Sequence, residues 1–274
     1  MPKIQKIDAN GLKIHIEIYH PKEYGGTDDV TNGITNSVTN GGTDAEPLGR
    51  PEINGKYPAI IMSHGYNGSC RDWLEEGRFF ASKGFVAVSH DFCGGSSHSL
   101  SEGRTDEMTL TSEVENLRKV FEYVSGMEDV DSSRIFLHGA SQGGMISGLL
   151  AEKLGSKIRA MVLYFPAFCI FDDWTKKYDS PEDAEEIIPF WGMNLGKAFV
   201  KDVHGRNVFS EIGKYPGKVL IFHGTEDATV PIDYSRKASK KYRDCRLVEI
   251  PGEGHGFSKE TTAFICEEIL KFFI

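Results

Sequence analysis

Six short apolar runs, at residues 59–62, 85–89, 135–138, 160–163, 219–222 and 247–250, recur along the chain. Segments of helical periodicity separate most of them, at 72–82, 107–124, 143–154, 232–242 and 259–273. Each run has the length of a strand buried on both faces, and parallel strands need long crossovers that helices supply. Alternation of this kind therefore admits few architectures. The expected fold class is α/β, a mostly parallel, doubly wound sheet whose ligands sit beyond the carboxyl ends of the strands. Before these runs, residues 12–19 alternate Leu, Ile, Ile, Ile against Lys, His, Glu, the period-two pattern of a half-buried strand. This strand is expected to pair with residues 4–8 across Ala9-Asn10-Gly11, a hairpin signal.

Two stretches break the rhythm. From 21 to 55 the chain turns to Thr, Asn, Gly and Asp, with the near repeats VTNGITN and VTNGGTD. So few large apolar side chains contribute little core, and the stretch reads as a flexible surface insertion rather than a binding loop. Between 167 and 216 the spacing is far longer than an ordinary connection and carries Trp174, Tyr178, Phe190, Trp191 and Phe199. We read it as an inserted cap, with residues 1–166 and 217–274 forming the core.

The bulk properties exclude several classes of partner. A net charge of −9 over 274 residues disfavours nucleic acid, which is bound by clustered Lys and Arg. No apolar run is long enough to span a membrane, and the first residues lack a basic segment followed by an apolar one, so a cytoplasmic location is expected. The five cysteines are odd in number and lack CxxC spacing, which suggests free thiols. The nine histidines form no HExxH or HxxxH pair, so neither a metal nor another cofactor is expected. The oligomeric state is open, and a homo-oligomer is compatible with the sequence.

Gly139-Ala140-Ser141-Gln142-Gly143 lies between a strand pattern and a helix pattern. The bare GxSxG is weak, but a serine on a sharp strand-to-helix turn needs small neighbours on either side, and this context gives it weight. A serine hydroxyl becomes nucleophilic when a base takes its proton, so an acid and then a histidine should follow. His255, in a glycine-flanked loop after the last strand, fits that place. His223 ends a strand ahead of every acid that fits and reads as a residue shaping the loop. Glu226 and Asp227 both follow the penultimate strand, and Asp227, just before the loop into Val230-Pro231, is preferred. The backbone amide of Gln142 and that of Tyr66, in the loop Ser63-His64-Gly65-Tyr66-Asn67-Gly68-Ser69, are the candidate donors for an oxyanion.

The pieces SHGYNGS, HGASQGG, LYFPA, NLGKAFVKDV, FHGTEDATVP and PGEGHGFS together resemble the capped α/β-hydrolases that include bacterial feruloyl and cinnamoyl esterases. The resemblance covers nearly all of the chain except residues 21–55. It implies an α/β-hydrolase fold, a Ser141–Asp227–His255 triad, and an oxyanion hole at Tyr66 and Gln142. Two features depart from the family pattern: Ala140 stands where histidine is common, and the Thr/Asn-rich stretch has no counterpart. His64, Asp172, Trp174, Tyr178 and Trp191 are the candidates for substrate contact, set against an ordinary amphipathic cap helix. The expected activity is carboxyl ester hydrolysis through an acyl-enzyme, on a small-molecule ester with a bulky aromatic acid. A peptidase or thioesterase on the same machinery is the alternative, as is a non-catalytic binding protein on the same scaffold.

Overall fold

The computed structural model describes residues 1–24 and 55–273. Strands β1 (Lys3–Ala9) and β2 (Leu12–Tyr19) form the N-terminal antiparallel hairpin. Asn10 and Gly11 take φ of 55° and 92° at its turn, as a two-residue hairpin with matched strand twist requires. A short helix α1 (Pro21–Tyr24) follows, and Tyr24 packs its ring on Tyr19. The first residues of the predicted insertion are thus folded, and residues 25–54 of it lie outside the described residues.

The chain then alternates strand and helix: β3 (Tyr57–Ser63), α2 (Leu74–Ser82), β4 (Val86–His90), α3 (Leu110–Ser125), β5 (Val130–Ala140), α4 (Gln142–Leu154) and β6 (Ala160–Tyr164). After β6 come α5 (Ile170–Lys177), the hairpin β7 (Ile187–Phe190) and β8 (Met193–Gly196), α6 (Lys197–Val203) and α7 (Val208–Glu211). The chain ends with β9 (Lys218–Gly224), α8 (Ile232–Lys241), β10 (Cys245–Ile250) and α9 (Lys259–Phe273). Among the described residues, eight strands make one sheet in the order β1-β2-β4-β3-β5-β6-β9-β10, parallel throughout except at β1 and β2.

Successive residues of the central strands point to opposite faces. Ile60, Met62, Phe136, Val162 and Leu220 meet Phe80 of α2 and Ile265, Ile269 and Leu270 of α9. Their neighbours Ile61, Leu137, Met161 and Val219 meet Leu117 and Val120 of α3, Met145 and Ile146 of α4, and Ala238 of α8. The sheet is thus covered on both sides, the doubly wound arrangement expected from the alternation. Phe168, Phe171, Trp174, Leu195, Phe199 and Val203, all between β6 and β9, join the second of these clusters, so this segment shares the main core. Among the described residues no helix is long and apolar enough to cross a membrane.

Several histidines are wholly enclosed by this core. Burial lowers the imidazole pKa of His90 and of His138 to about 3, and also pushes those of His64 and His223 down. They are neutral in the fold yet bind protons near pH 6.5 once unfolded. Unfolding therefore takes up protons below about pH 6.5, and stability falls as the pH drops from there toward about 3. Each of the two most shifted groups contributes a slope of ~1.4 kcal/mol per pH unit in that window. The urea midpoint should accordingly drop on going from roughly pH 7 to pH 5, and His138→Phe should flatten that drop, as read by tryptophan fluorescence.

Candidate active site

Ser141 sits at the junction of β5 and α4 with φ 52° and ψ −119°, in a region that side-chain-bearing residues rarely enter. Packing enforces the conformation. Ser141 N–H donates to Tyr164 O at 2.9 Å, and Ser141 O accepts from Ala167 N at 2.9 Å and Met145 N at 3.1 Å. A Cβ at Gly139 would come within 2.3 Å of Gly143 O, and one at Gly143 would come within 2.3 Å of His64 O. The two glycines of the motif are therefore required by close backbone contact, which also clamps the first turn of α4 against the end of β3.

The Ser141 hydroxyl, exposed by this turn, lies 3.0 Å from His255 Nε2. His255 Nδ1 lies 2.8 Å from Asp227 Oδ2, and Asp227 Oδ1 accepts from the amides of Thr229 and Val230, both at 2.8 Å. Hydrogen-bond partners assign the tautomer: Nδ1–H donates to the carboxylate, leaving the Nε2 lone pair toward the hydroxyl. Asp227 has a fully buried side chain, whereas Glu226 is exposed and meets the loop of His255 through a backbone bond from its N–H to Glu253 O. His223 is buried, with Nε2–H donating to Val230 O at 3.0 Å and Nδ1 accepting from Ser235 Oγ at 2.7 Å. Its Nε2 is also 3.3 Å from Asp227 Oδ2, so it braces the acid loop from behind. Phe165 lays its ring 4.6 Å from that of His255 and has φ 35°. Sequence reading missed Phe165, although the LYFPA string that contains it is one of the pieces that carry the family resemblance.

The loop after β3 closes over the elbow: a Cβ at Gly65 would lie 3.1 Å from Ser141 Cβ and 3.7 Å from its Oγ. Tyr66 therefore lies one residue from direct contact with the nucleophile, and Gln142, as the first residue of α4, has no intrahelical acceptor for its N–H. Both amides belong to segments that converge on Ser141. His64, expected to touch substrate, does not: it is 1% exposed, Nε2 accepts from Phe92 N at 3.1 Å, and Nδ1–H donates to Gly65 O at 2.7 Å. Both nitrogens are used inside the protein, and its role is to prop this loop.

The expected substrate contacts between β6 and β9 separate into two groups. Trp174 is buried, packed edge-on against Phe190 and Phe199, and Asp172 accepts from Tyr234 Oη at 2.6 Å, tying α5 to α8. Tyr178 stacks on Trp174 and donates to Glu185. These three all take part in packing or tethering contacts within the protein. Trp191 differs. It is 65% exposed at the β7–β8 turn, with φ 40°, and stacks on Phe190 at 4.8 Å. The turn is fastened to the loop after β3, since Tyr66 Oη donates to Phe190 O at 2.7 Å and Asn67 Nδ2 to Trp191 O at 3.3 Å. An exposed indole thus stands beside the loop that covers Ser141. Among the described residues, His15, Glu17 and Cys70 are the group whose donor atoms lie within 4.8 Å of one another, and none of them belongs to the network around Ser141.

Chemically, the line from Ser141 Oγ through His255 to Asp227 can move one proton off the hydroxyl while the carboxylate steadies the imidazolium that forms. Asp227→Asn would donate rather than accept at Nδ1 and present the wrong tautomer. It should lower kcat by about 10³- to 10⁴-fold with the far-UV circular dichroism unchanged.

Residues 75–274 match the prolyl oligopeptidase family, Peptidase_S9. The chain is 23% identical over 264 residues to the bifunctional esterase/perhydrolase DCH of Acinetobacter calcoaceticus, covering 78% of this chain and 91% of that protein. It is 23% identical over 198 residues to the uncharacterized peptidase YtmA of Bacillus subtilis, with 72% of this chain and 73% of that one covered. Among solved structures, Est1E from Butyrivibrio proteoclasticus with ferulic acid bound superimposes with a TM-score of 0.76 at 25% identity, over 98% of this chain and 97% of that one. DcsB in complex with its substrate analogue gives a TM-score of 0.72 at 17% identity over 100% and 99% of the two chains, a likeness of fold. With the family match running from α2 to the last residue, the chain belongs to the prolyl oligopeptidase family, has the α/β-hydrolase fold, and is a serine hydrolase.

Proposed function

We propose that the protein is a carboxylesterase that works through an acyl-enzyme on Ser141 and prefers esters of aromatic, hydroxycinnamoyl-type acids. The hydrogen-bonded line Ser141–His255–Asp227 carries the chemistry. Ser141 Oγ attacks the acyl carbon as His255 Nε2 takes its proton, and the carbonyl oxygen becomes an oxyanion facing the amides of Tyr66 and Gln142. Collapse of this intermediate expels the alkoxide, which His255 protonates. Water then repeats the two steps on the acyl-enzyme, releasing the acid and restoring the Ser141 hydroxyl.

Trp191 carries the choice of acid. A ring exposed beside the loop over the nucleophile offers a flat apolar face to an aromatic acyl group, and offset stacking adds about 0.5–1.5 kcal/mol beyond burial. The ferulic acid held by Est1E supports the same class of acid. In this reading residues 167–216 serve as the cap, joined to the core through the contacts of Phe190 and Trp191 with Tyr66 and Asn67. The five unpaired cysteines suit a reducing cytoplasm. A peptidase is the second reading, favoured by the family and by the likeness to YtmA.

Hydrolysis of methyl ferulate, 4-nitrophenyl butyrate and a peptidyl 4-nitroanilide by the wild type, Ser141→Ala and Trp191→Ala separates these readings. Ser141→Ala should abolish turnover of every substrate. Trp191→Ala should raise KM for methyl ferulate by about 3- to 10-fold, the equivalent of the stacking energy, with 4-nitrophenyl butyrate little changed. Cleavage of the anilide with no turnover of either ester would replace the esterase reading by the peptidase one.

A further inference from the structure

Helix α3 turns an apolar stripe inward, with Leu110, Val114 and Leu117 all buried, and in the middle of that stripe lies a carboxyl group. Glu113 is 0% exposed, and no cation pairs with it among the described residues. Its Oε2 accepts one hydrogen bond, from Gln142 Nε2 at 2.8 Å, and its Oε1 has no protein partner among the described residues. The donor belongs to the residue immediately after the nucleophile. Gln142 is itself 3% exposed, so this bond sits in the interior directly behind the elbow.

An ionised carboxylate in such a place would be strongly disfavoured, with one neutral donor as compensation. Burial, the main cause, and the nearby Asp202 carboxylate push the Glu113 pKa up to about 8, so the group is uncharged at neutral pH. That matters for the reaction. A full negative charge behind Gln142 would oppose the charge that develops on the substrate oxygen, while a neutral acid leaves it unopposed. A neutral carboxyl can still accept from Gln142, so it can hold without repelling.

We propose that Glu113 is a positioning residue for the oxyanion site. Its uncharged carboxyl anchors the Gln142 side chain, and this fixes the direction of the Gln142 backbone N–H toward the substrate oxygen. The bond runs between α3 and the first residue of α4, so it also sets how deeply the first turn of α4 seats beside Ser141. An apolar residue would fill the same space, but would leave Gln142 Nε2 buried without a partner and free to rotate its residue. This inference rests on the reading of Ser141 as nucleophile and of Gln142 N–H as oxyanion donor.

The test is steady-state hydrolysis of 4-nitrophenyl butyrate by Glu113→Gln, Glu113→Leu, Gln142→Leu and the Glu113→Leu/Gln142→Leu double variant, with Ser141→Ala as control. Glu113→Gln keeps a neutral acceptor and should stay within about threefold of the wild type. Glu113→Leu and Gln142→Leu should each lower kcat by about 10- to 100-fold, a loss up to that of one oxyanion donor, with KM within about twofold. The double variant should be no worse than either single one, since both remove one contact. Wild-type kcat in Gln142→Leu, a loss carried by KM, or losses that multiply in the double variant would each overturn the proposal. If Glu113→Leu does not fold, Gln142→Leu and Glu113→Gln decide it on their own. A Ser141→Ala enzyme that keeps turnover would instead overturn the underlying mechanism, so the two failures are distinct.

Discussion

The structure is organised around a backbone that Ser141 would not adopt if left to itself. A side-chain-bearing residue at positive φ costs about 1–3 kcal/mol, and it persists only where the surroundings over-determine it. Here they do so from three directions: Tyr164 O takes its amide, the amides of Ala167 and Met145 take its carbonyl, and Gly139 and Gly143 let β5, α4 and β3 approach within van der Waals range. The loop of Tyr66 rests on the elbow at Gly65, and the β7–β8 turn rests on the loop. The site is therefore built outward in layers from one strained residue, each layer referenced to the one beneath.

Much of this was legible in the sequence, for reasons that differ by element. The central strands announced themselves because a strand buried on both faces must be apolar at every position. The boundaries drifted where burial tapers, so the run read at 135–138 is the middle of a strand that starts at Val130. Ser141, Asp227 and His255 were legible because small neighbours and chain order are needed for that geometry, and the structure brings the three side chains into one hydrogen-bonded line. The residues between β6 and β9 were less so. An aromatic residue in an amphipathic segment looks the same whether it faces a ligand or a neighbouring helix, and only packing tells Trp174, enclosed by Phe190 and Phe199, from the exposed Trp191. His64 misled in the same way, since a histidine beside a ligand loop and one beneath it share a motif. Glu113 did carry a signal, a charge within the apolar face of α3, that sequence reading passed over.

Two buried acids flank the nucleophile, and their surroundings are opposite. Asp227 accepts three hydrogen bonds, from two amides and an imidazole, with a second imidazole behind it. Glu113 accepts one, from an amide side chain, and its other oxygen has no hydrogen-bond partner among the described residues. The first environment suits a carboxylate that must stabilise a positive ring, the second a neutral acid that must hold without adding charge. Buried His64 and His223 complete the pattern: both are kept neutral, and both use their ring nitrogens to fix the loops that carry Tyr66 and Asp227.

The attachment of the β7–β8 turn to the loop of Tyr66 has a further consequence. Both hydrogen bonds that fasten the turn end on main-chain carbonyls, those of Phe190 and Trp191. Carbonyl oxygens are present whatever side chain a residue bears, so replacing the indole leaves the fastening in place. On the proposed reading of Trp191 as the contact for the acid, substrate preference is thereby uncoupled from the reaction machinery. The same reading lets the ring at position 191 be exchanged for other shapes while the loop of Tyr66 and the nucleophile keep their positions.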